Sequence, residues 1–407
     1  MTDEQKKVPE LRFPKFSGEW EEKKLGEVKL ESMYGISASS VPYDGKNIYV
    51  RITDIFDESR QLNTQSITSP NKINDNYLLK EGDIIFARTG ASTGKTYIHK
   101  NFDGSKNYYF AGFLIKFSFD NKIEPEFIYQ YTFTNRYKNW VSVMSVRSGQ
   151  PGINSKEYNK LSVHIPKLKE QQKIGDFFSK LDRQIELEEQ KLEKLEELKK
   201  GYMQKIFSQE LRFKDENGND YPEWEEKKFN YFMSVPNELI KGKNISPSQL
   251  LTVGLHCKGV SKYQNTRTLK LGATVYYQRY KGQFIYGKQN FFNGAFDIIP
   301  SYLDGYYSSG DIPALDLDYN LINKEYLLAY ISRENFYKAI KAFSTGTGSR
   351  RIYEKTLLNL KLNLPFLEEQ KKIGDIWKQF NNEIYSHSIL ISKLKERKKG
   401  YLQKMFV

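Results

Sequence analysis

The chain has 407 residues, a length that suits two to three domains. Hydrophobic residues make up 39% and aromatics 14%, which supplies buried cores and excludes wholesale disorder. The net charge of +13 comes without a polybasic tail. Residues 1–167 carry +4, 168–207 are neutral, 208–366 carry +5 and 367–407 carry +4.

No stretch approaches 18 consecutive apolar residues, so no membrane-spanning helix is expected. The opening segment MTDEQKKVPELRF has no apolar stretch of the kind a secretory leader needs. Cys257 is the sole cysteine, which excludes an intrachain disulfide framework and a Cys-based zinc cluster and suits a reducing cytosol. His99, His164, His256 and His387 are scattered without ligand spacing, so no metal site is expected.

The first globular part reads as mixed α/β. Segments 47–52, 82–88 and 112–117 are strand-like and bounded by Gly, Asp and Asn turns. Residues 125–140 read as one helix with Pro125 at its start, and 159–166 close the globule as a strand. From Lys169 to Phe207 there is no proline, and apolar residues recur at steps of four and three: Ile174, Phe178, Leu181, Ile185, Leu192, Leu195 and Tyr202. The second globule repeats the outline, with strands at 282–286 and 358–364 around a helix at 324–343. A second long helix carries Ile373, Trp377, Phe380, Ile384, Ile391, Leu394 and Tyr401 on the same stripe. Glu188 and His387 interrupt the two stripes at equivalent places.

The chain is thus one unit written twice. Pro166 to Asp176 returns as Pro365 to Asp375, and Gly201 to Phe207 returns as Gly400 to Phe406, each at an offset of 199. Glu10-Leu11-Arg12-Phe13 returns as Glu210-Leu211-Arg212-Phe213, and Glu19-Trp20-Glu21-Glu22-Lys23-Lys24 returns as Glu223-Trp224-Glu225-Glu226-Lys227-Lys228. The interiors of the globular parts share little beyond a strand-like pattern. A common framework presenting two different surfaces has this signature.

A helix of about 38 residues is roughly 57 Å long and needs a partner for its apolar stripe. The other copy is the simplest partner. In a chain ordered globule, helix, globule, helix, an antiparallel pair puts one globule at each end. That arrangement predicts that Glu188 and His387 approach within about 11 Å, two helical turns.

Candidate catalytic chemistry is mostly absent. Gly90-Ala91-Ser92-Thr93-Gly94-Lys95-Thr96 resembles a phosphate-cradling loop, but it has three residues between its glycines where the motif has four, and a strand rather than a helix follows. A loop with Arg88, Thr89, Lys95 and Thr96 at its rim suits nucleic-acid contact; a plain solvated hairpin is the alternative. Two further loops, Arg147 to Asn154 with Gln150, and Gly346 to Ile352 with Ser349, Arg350 and Arg351, stand just before the closing strands. Arg and Gln are shaped for bidentate reading of guanine and adenine. Lys288, Gln289 and Asn290 follow the strand at 284–286 and join the candidates. No His-Glu-x-x-His or Asn-Pro-Pro-aromatic run occurs, and the chain is expected to have no active site of its own. A rival reading is a coiled-coil interaction protein whose two globules never touch DNA; only a DNA binder should lose its ligand steeply as salt rises.

The residues match a known pattern. The chain resembles the specificity subunits of Type I DNA restriction–modification systems over essentially its full length. The strongest element is Pro-x-x-x-Glu-Gln-x-x-Ile opening each long helix, at Pro166 to Ile174 and Pro365 to Ile373. Trp20 to Gly26, Tyr49 to Ile55 and Gly82 to Gly90 are similar to that family's target recognition domains, and through them Arg51 joins the candidate DNA contacts. The second globule departs from the pattern, with Phe229-Asn230 at its start and Gly287-Lys288-Gln289 in place of Arg88-Thr89-Gly90.

The resemblance implies an α+β architecture: target recognition domains at 1–167 and 208–366, joined by two long antiparallel coiled-coil helices at 168–207 and 367–407, with a pseudo-two-fold repeat. It implies a non-catalytic bacterial cytoplasmic subunit in which each globule reads one half of a bipartite, asymmetric double-stranded DNA site. The helices would set the unread spacer, at most about 17 base pairs for roughly 57 Å, and dock two methyltransferase subunits. Two restriction/translocase subunits would complete the complex. S-adenosylmethionine, ATP and Mg2+ would be used by those partners, with no cofactor bound by this chain.

Overall fold

The computed structural model describes residues 7–100, 104–264, 271–272, 274–345 and 350–407. It divides into two compact units, Met1–Gln190 with Ser388–Val407, and Lys191–His387. The long helices are Leu168–Phe207 and Leu367–Met405, so the division cuts each of them in two. The physical reason is that each helix half packs into the base of one globule.

In the first unit the halves run antiparallel. Asp182 pairs with Lys398 at 2.5 Å and Glu189 with Lys395 at 2.8 Å, while Phe177 meets Tyr401 and Phe178 meets Phe406 at centroid distances of 5.3 and 5.9 Å. The second unit repeats the arrangement. Lys199 donates to Asn381 Oδ1 at 2.6 Å and Tyr202 lies 5.8 Å from Phe380. The stripe residues are covered except Tyr202, which is exposed while its neighbour Met203 is buried in its place. Ile174, Phe178, Ile185, Ile373, Ile391 and Leu394 are buried; Leu181, Glu188, Leu192, Leu195, Trp377, Phe380, Ile384 and His387 are half-buried. Leu187, Leu198, Tyr385 and Leu390, off the stripe, are exposed. Glu188 belongs to the first unit and His387 to the second.

The repeated signature holds each helix to its globule. Glu170, almost fully buried, accepts two hydrogen bonds from Arg12 at 2.7 Å each. Glu369 does the same for Arg212 at 2.9 and 3.3 Å and also accepts Trp224 Nε1 at 3.0 Å. Gln171 donates to the Pro166 carbonyl at 2.9 Å and accepts the Glu124 N–H at 3.0 Å; Gln370 does so with Pro365 and Asn323 at 2.9 and 2.8 Å. Four residues beyond each glutamine, the helices pass so close to the neighbouring helix start that a β-carbon on Gly175 would stand 3.1 Å from Glu126 Cβ, and one on Gly374 2.8 Å from Glu325 Cβ. The signature is therefore a structural clamp. The Leu11 N–H donates to the Lys404 carbonyl (2.9 Å) as Leu211 N–H does to Lys205 (3.1 Å), so the repeated Leu-Arg-Phe segments close equivalent helix ends.

Each globule is built on a four-stranded antiparallel sheet of one topology. In the first its order is Lys29–Tyr34, Leu114–Phe119, Ile84–Ala87, Thr96–Ile98; in the second it is Met233–Ser234, Ala314–Leu317, Phe284–Tyr286, Phe296–Ile298. Side chains alternate between two cores. Ile84, Phe86, Ile115 and Phe117 face the helices, while Ile85, Ala87 and Leu114 face a second apolar cluster with Tyr49 and Phe110. Phe284 and Tyr286 oppose Ile285 and Ala314 in the same way. Glu21–Lys24 pairs antiparallel with Ser162–Ile165, and Glu225–Lys228 with Lys361–Leu364, which closes each globule beside its helix.

Two expected helices are broken. Residues 125–140 form Pro125–Tyr131 and Asn135–Met144. Thr132 and Thr134 turn their hydroxyls onto the Tyr129 and Tyr131 carbonyls at 2.6 and 2.8 Å, and Thr134 caps the second helix. Residues 324–343 form Lys324–Ile331, Glu334–Ala339 and a tighter turn at Ile340–Phe343. The closing strands are shorter than expected, Ser162–Ile165 and Lys361–Leu364, and each follows a short helix, Ser155–Tyr158 and Glu354–Leu358.

His99 is fully buried, with its ring 4.6 Å from Tyr108, and no hydrogen-bond partner for Nε2. Burial pushes its pKa down to about 4, below the unfolded value near 6.5. Between these values the unfolded chain binds the extra proton, so stability is complete above about pH 6.5 and falls as pH drops toward 4. A urea titration should show a loss on the order of 2–3 kcal/mol across that window. In His99→Phe this part of the loss should disappear.

Candidate nucleic-acid interface

The inner strand Ile84–Ala87 delivers Arg88 to its C-terminal end, where three loops meet. The Arg88 N–H donates to the Phe113 carbonyl (3.1 Å), its carbonyl accepts Ile153 N–H (2.9 Å), and Gly90 N–H donates to the Pro151 carbonyl (2.9 Å). Tyr34 closes the cluster: the Arg88 guanidinium lies 4.9 Å over its ring and its hydroxyl accepts the Ser155 N–H at 3.1 Å. Among the described residues no carboxylate pairs with Arg88. Its Nε is buried without a hydrogen-bond partner. Thr89, half-buried, bridges to Gly152, and Gln150 is exposed on the same loop cluster.

The second unit builds the same socket from other residues. Lys288 N–H donates to the Asp311 carbonyl at 2.9 Å and its carbonyl accepts Ile352 N–H at 2.8 Å. Gln289, Asn290 and Arg350 are exposed there. Gly346, Thr347, Gly348 and Ser349 lie outside the described residues.

Several candidates are engaged within the chain. Thr96 is a correction: it is fully buried, bonded to Arg60 Nη1 at 2.6 Å and to Thr132 Oγ1 at 2.8 Å, so it is not at a rim. Lys95 turns inward too, donating to the Ile55 carbonyl at 2.9 Å and pairing with Asp57 at 2.5 Å. That ammonium draws the Asp57 carboxyl below its usual range. Arg51 is held by both oxygens of Asp54 at 2.8 and 2.7 Å, and Arg147 by both of Glu157 at 2.6 Å. Lys288 pairs with Glu354 at 2.8 Å and Arg351 with Asp311 at 3.1 Å. Such pairs fix loop shape and lower the number of free cations at the surface. The loop 90–96 has a single tight turn at Gly90–Ser92 followed by the strand Thr96–Ile98, so no helix start faces it.

Sequence reasoning missed Tyr34, Phe113 and the carboxylates that hold the arginines. Of these only Phe113, an aromatic between Gly112 and the strand, carried any local signal. Among the described residues, no group of three His, Cys, Asp or Glu side chains is placed to hold a metal ion, and no helix is long and apolar enough to cross a membrane.

A twice-repeated recognition-type globule on a long-helix framework defines a class. The family model described as the Type I restriction modification DNA specificity domain matches residues 17–197 and 257–396, and the chain belongs to that family. It is a specificity subunit, a non-catalytic component in that family. The Type I restriction enzyme MjaVIII specificity subunit of Methanocaldococcus jannaschii is 23% identical over 335 residues, covering 76% of this chain and 75% of that protein. The StySPI specificity subunit of Salmonella potsdam is 24% identical over 274 residues, 62% of this chain and 57% of that protein. The crystal structure of the Type I restriction–modification S subunit from M. genitalium has the same fold, with a TM-score of 0.65 at 14% identity, covering 98% of this chain and 99% of that one.

Proposed function

We propose that each globule reads one half of a bipartite, asymmetric DNA sequence, and that the paired long helices set the unread spacer and dock two methyltransferase subunits. The methyltransferases carry S-adenosylmethionine and modify adenine. Two restriction/translocase subunits join them and use ATP and Mg2+. This chain supplies the address.

The observation that carries this reading is the shared socket with different contents. The backbone bonds around Arg88 and Lys288 are the same, yet the side chains projected from the two loop clusters differ: Tyr34, Phe113 and Gln150 in one, Asp311, Tyr353 and Arg350 in the other. A framework held constant under variable loops is what reading two unlike half-sites requires. The glycines and the Arg and Gln side chains supply backbone approach to phosphates and bidentate contact with bases.

Exchanging residues 20–160 for another recognition domain tests it. The specificity of one half-site should change while the other half-site and the spacer stay as they were. Loss of both half-sites in a folded, assembled complex would contradict the division of labour.

A further inference from the structure

Phe113 is 61% exposed. A lone exposed aromatic needs no explanation, but this one sits in a fixed place. Its carbonyl caps Arg88, Leu114 N–H closes the turn onto Ala111 at 2.9 Å, and Gly35 N–H holds Leu114 at 3.1 Å. The backbone at Gly35 packs against the Phe110 and Ala111 carbonyls with no room for a β-carbon. The ring is therefore presented by a turn that cannot retreat, beside Arg88 and on the cluster that exposes Gln150.

Arg and Gln make their bidentate contacts on major-groove base edges, and the apolar feature of that groove is the thymine C5-methyl. We propose that Phe113 is a specificity-determining residue that packs on a thymine methyl in the half-site read by the first unit. The inference rests on the reading of this loop cluster as DNA-facing. In the second unit the same backbone position holds Asp311, tied to Arg351, so that half-site is read without an apolar contact there.

The test uses the full chain assembled with its methyltransferase subunits and duplexes carrying its own site. Each thymine of the first half-site is replaced in turn by deoxyuridine, which removes only the methyl. At one position binding should weaken about fourfold, the value of one buried methyl-sized group. Phe113→Ala should abolish that difference, and Phe113→Leu should retain most of it; thymines of the second half-site should be unaffected by either variant. A first half-site without thymine on either strand, or a deoxyuridine sensitivity that is absent or unchanged in Phe113→Ala, overturns the proposal. If Arg88→Ala and Gln150→Ala also leave first-half-site discrimination intact, the reading of the cluster falls with it.

Discussion

Replacing Phe178 with alanine should destabilise the chain by about 3–5 kcal/mol, measured by urea or thermal unfolding. Phe178 is fully buried on the stripe of the first long helix. Its ring lies 5.2 Å from Phe177 and 5.9 Å from Phe406, in a core with Ile174, Phe127, Leu402 and Met405. These neighbours come from three helices and a chain end pinned by the Leu11–Lys404 bond, so the walls collapse little into the space left behind. Truncation then costs both transfer and cavity terms. Leu187→Ala and Leu198→Ala, on exposed positions of the same helix, should stay within about 0.5 kcal/mol of the native chain. Equal stability of the Phe178 variant would mean that the stripe is not the core.

The second large effect is on specificity. Arg88→Ala or Gln150→Ala should reduce discrimination at the first half-site by about 10- to 100-fold, the value of one lost bidentate base contact, and leave the second half-site unchanged. Arg350→Ala should do the converse. Methylation rates on duplexes with single base changes in each half read this directly. Weakening that is uniform across all sequences, with a shallower salt dependence, would make these residues phosphate contacts instead. Lys95→Ala serves as a control: its ammonium is bonded to Ile55 and Asp57, so its loss should lower stability without changing the bases read.

The parts of the fold that were legible in the sequence are those whose residues interact locally or were written twice. Ile174, Phe178 and Ile185 at steps of four and three announced a buried stripe, because helical spacing maps directly onto one face. Glu170, Gln171 and Gly175 were visible as a repeat, although only the geometry explains them: one binds Arg12, one ties the helix start to a neighbouring helix, one permits close packing. Interruption of the helix at Thr132 to Thr134 was not legible, since nothing in an apolar pattern reports that two hydroxyls turn onto the backbone.

The candidate site was less legible. A basic residue in a glycine-rich loop looks the same whether it is free or paired. Arg147 is neutralised by Glu157 ten residues on, and Lys288 by Glu354 far along the chain. Thr96 sits next to Lys95 in sequence, but a buried partner, Arg60, draws it into the core. Local pattern places a side chain on a loop; long-range partners decide whether it faces water.

If the proposed function holds, this chain gives a methylation complex its bipartite address. The direct measurement is modified-base sequencing of the host genome with and without the gene, the partner methyltransferase being present in both. One asymmetric adenine-methylated motif, in two parts separated by an unread spacer, should be present and should disappear on deletion. A methylation pattern unchanged by deletion, with the chain expressed and assembled, would contradict it.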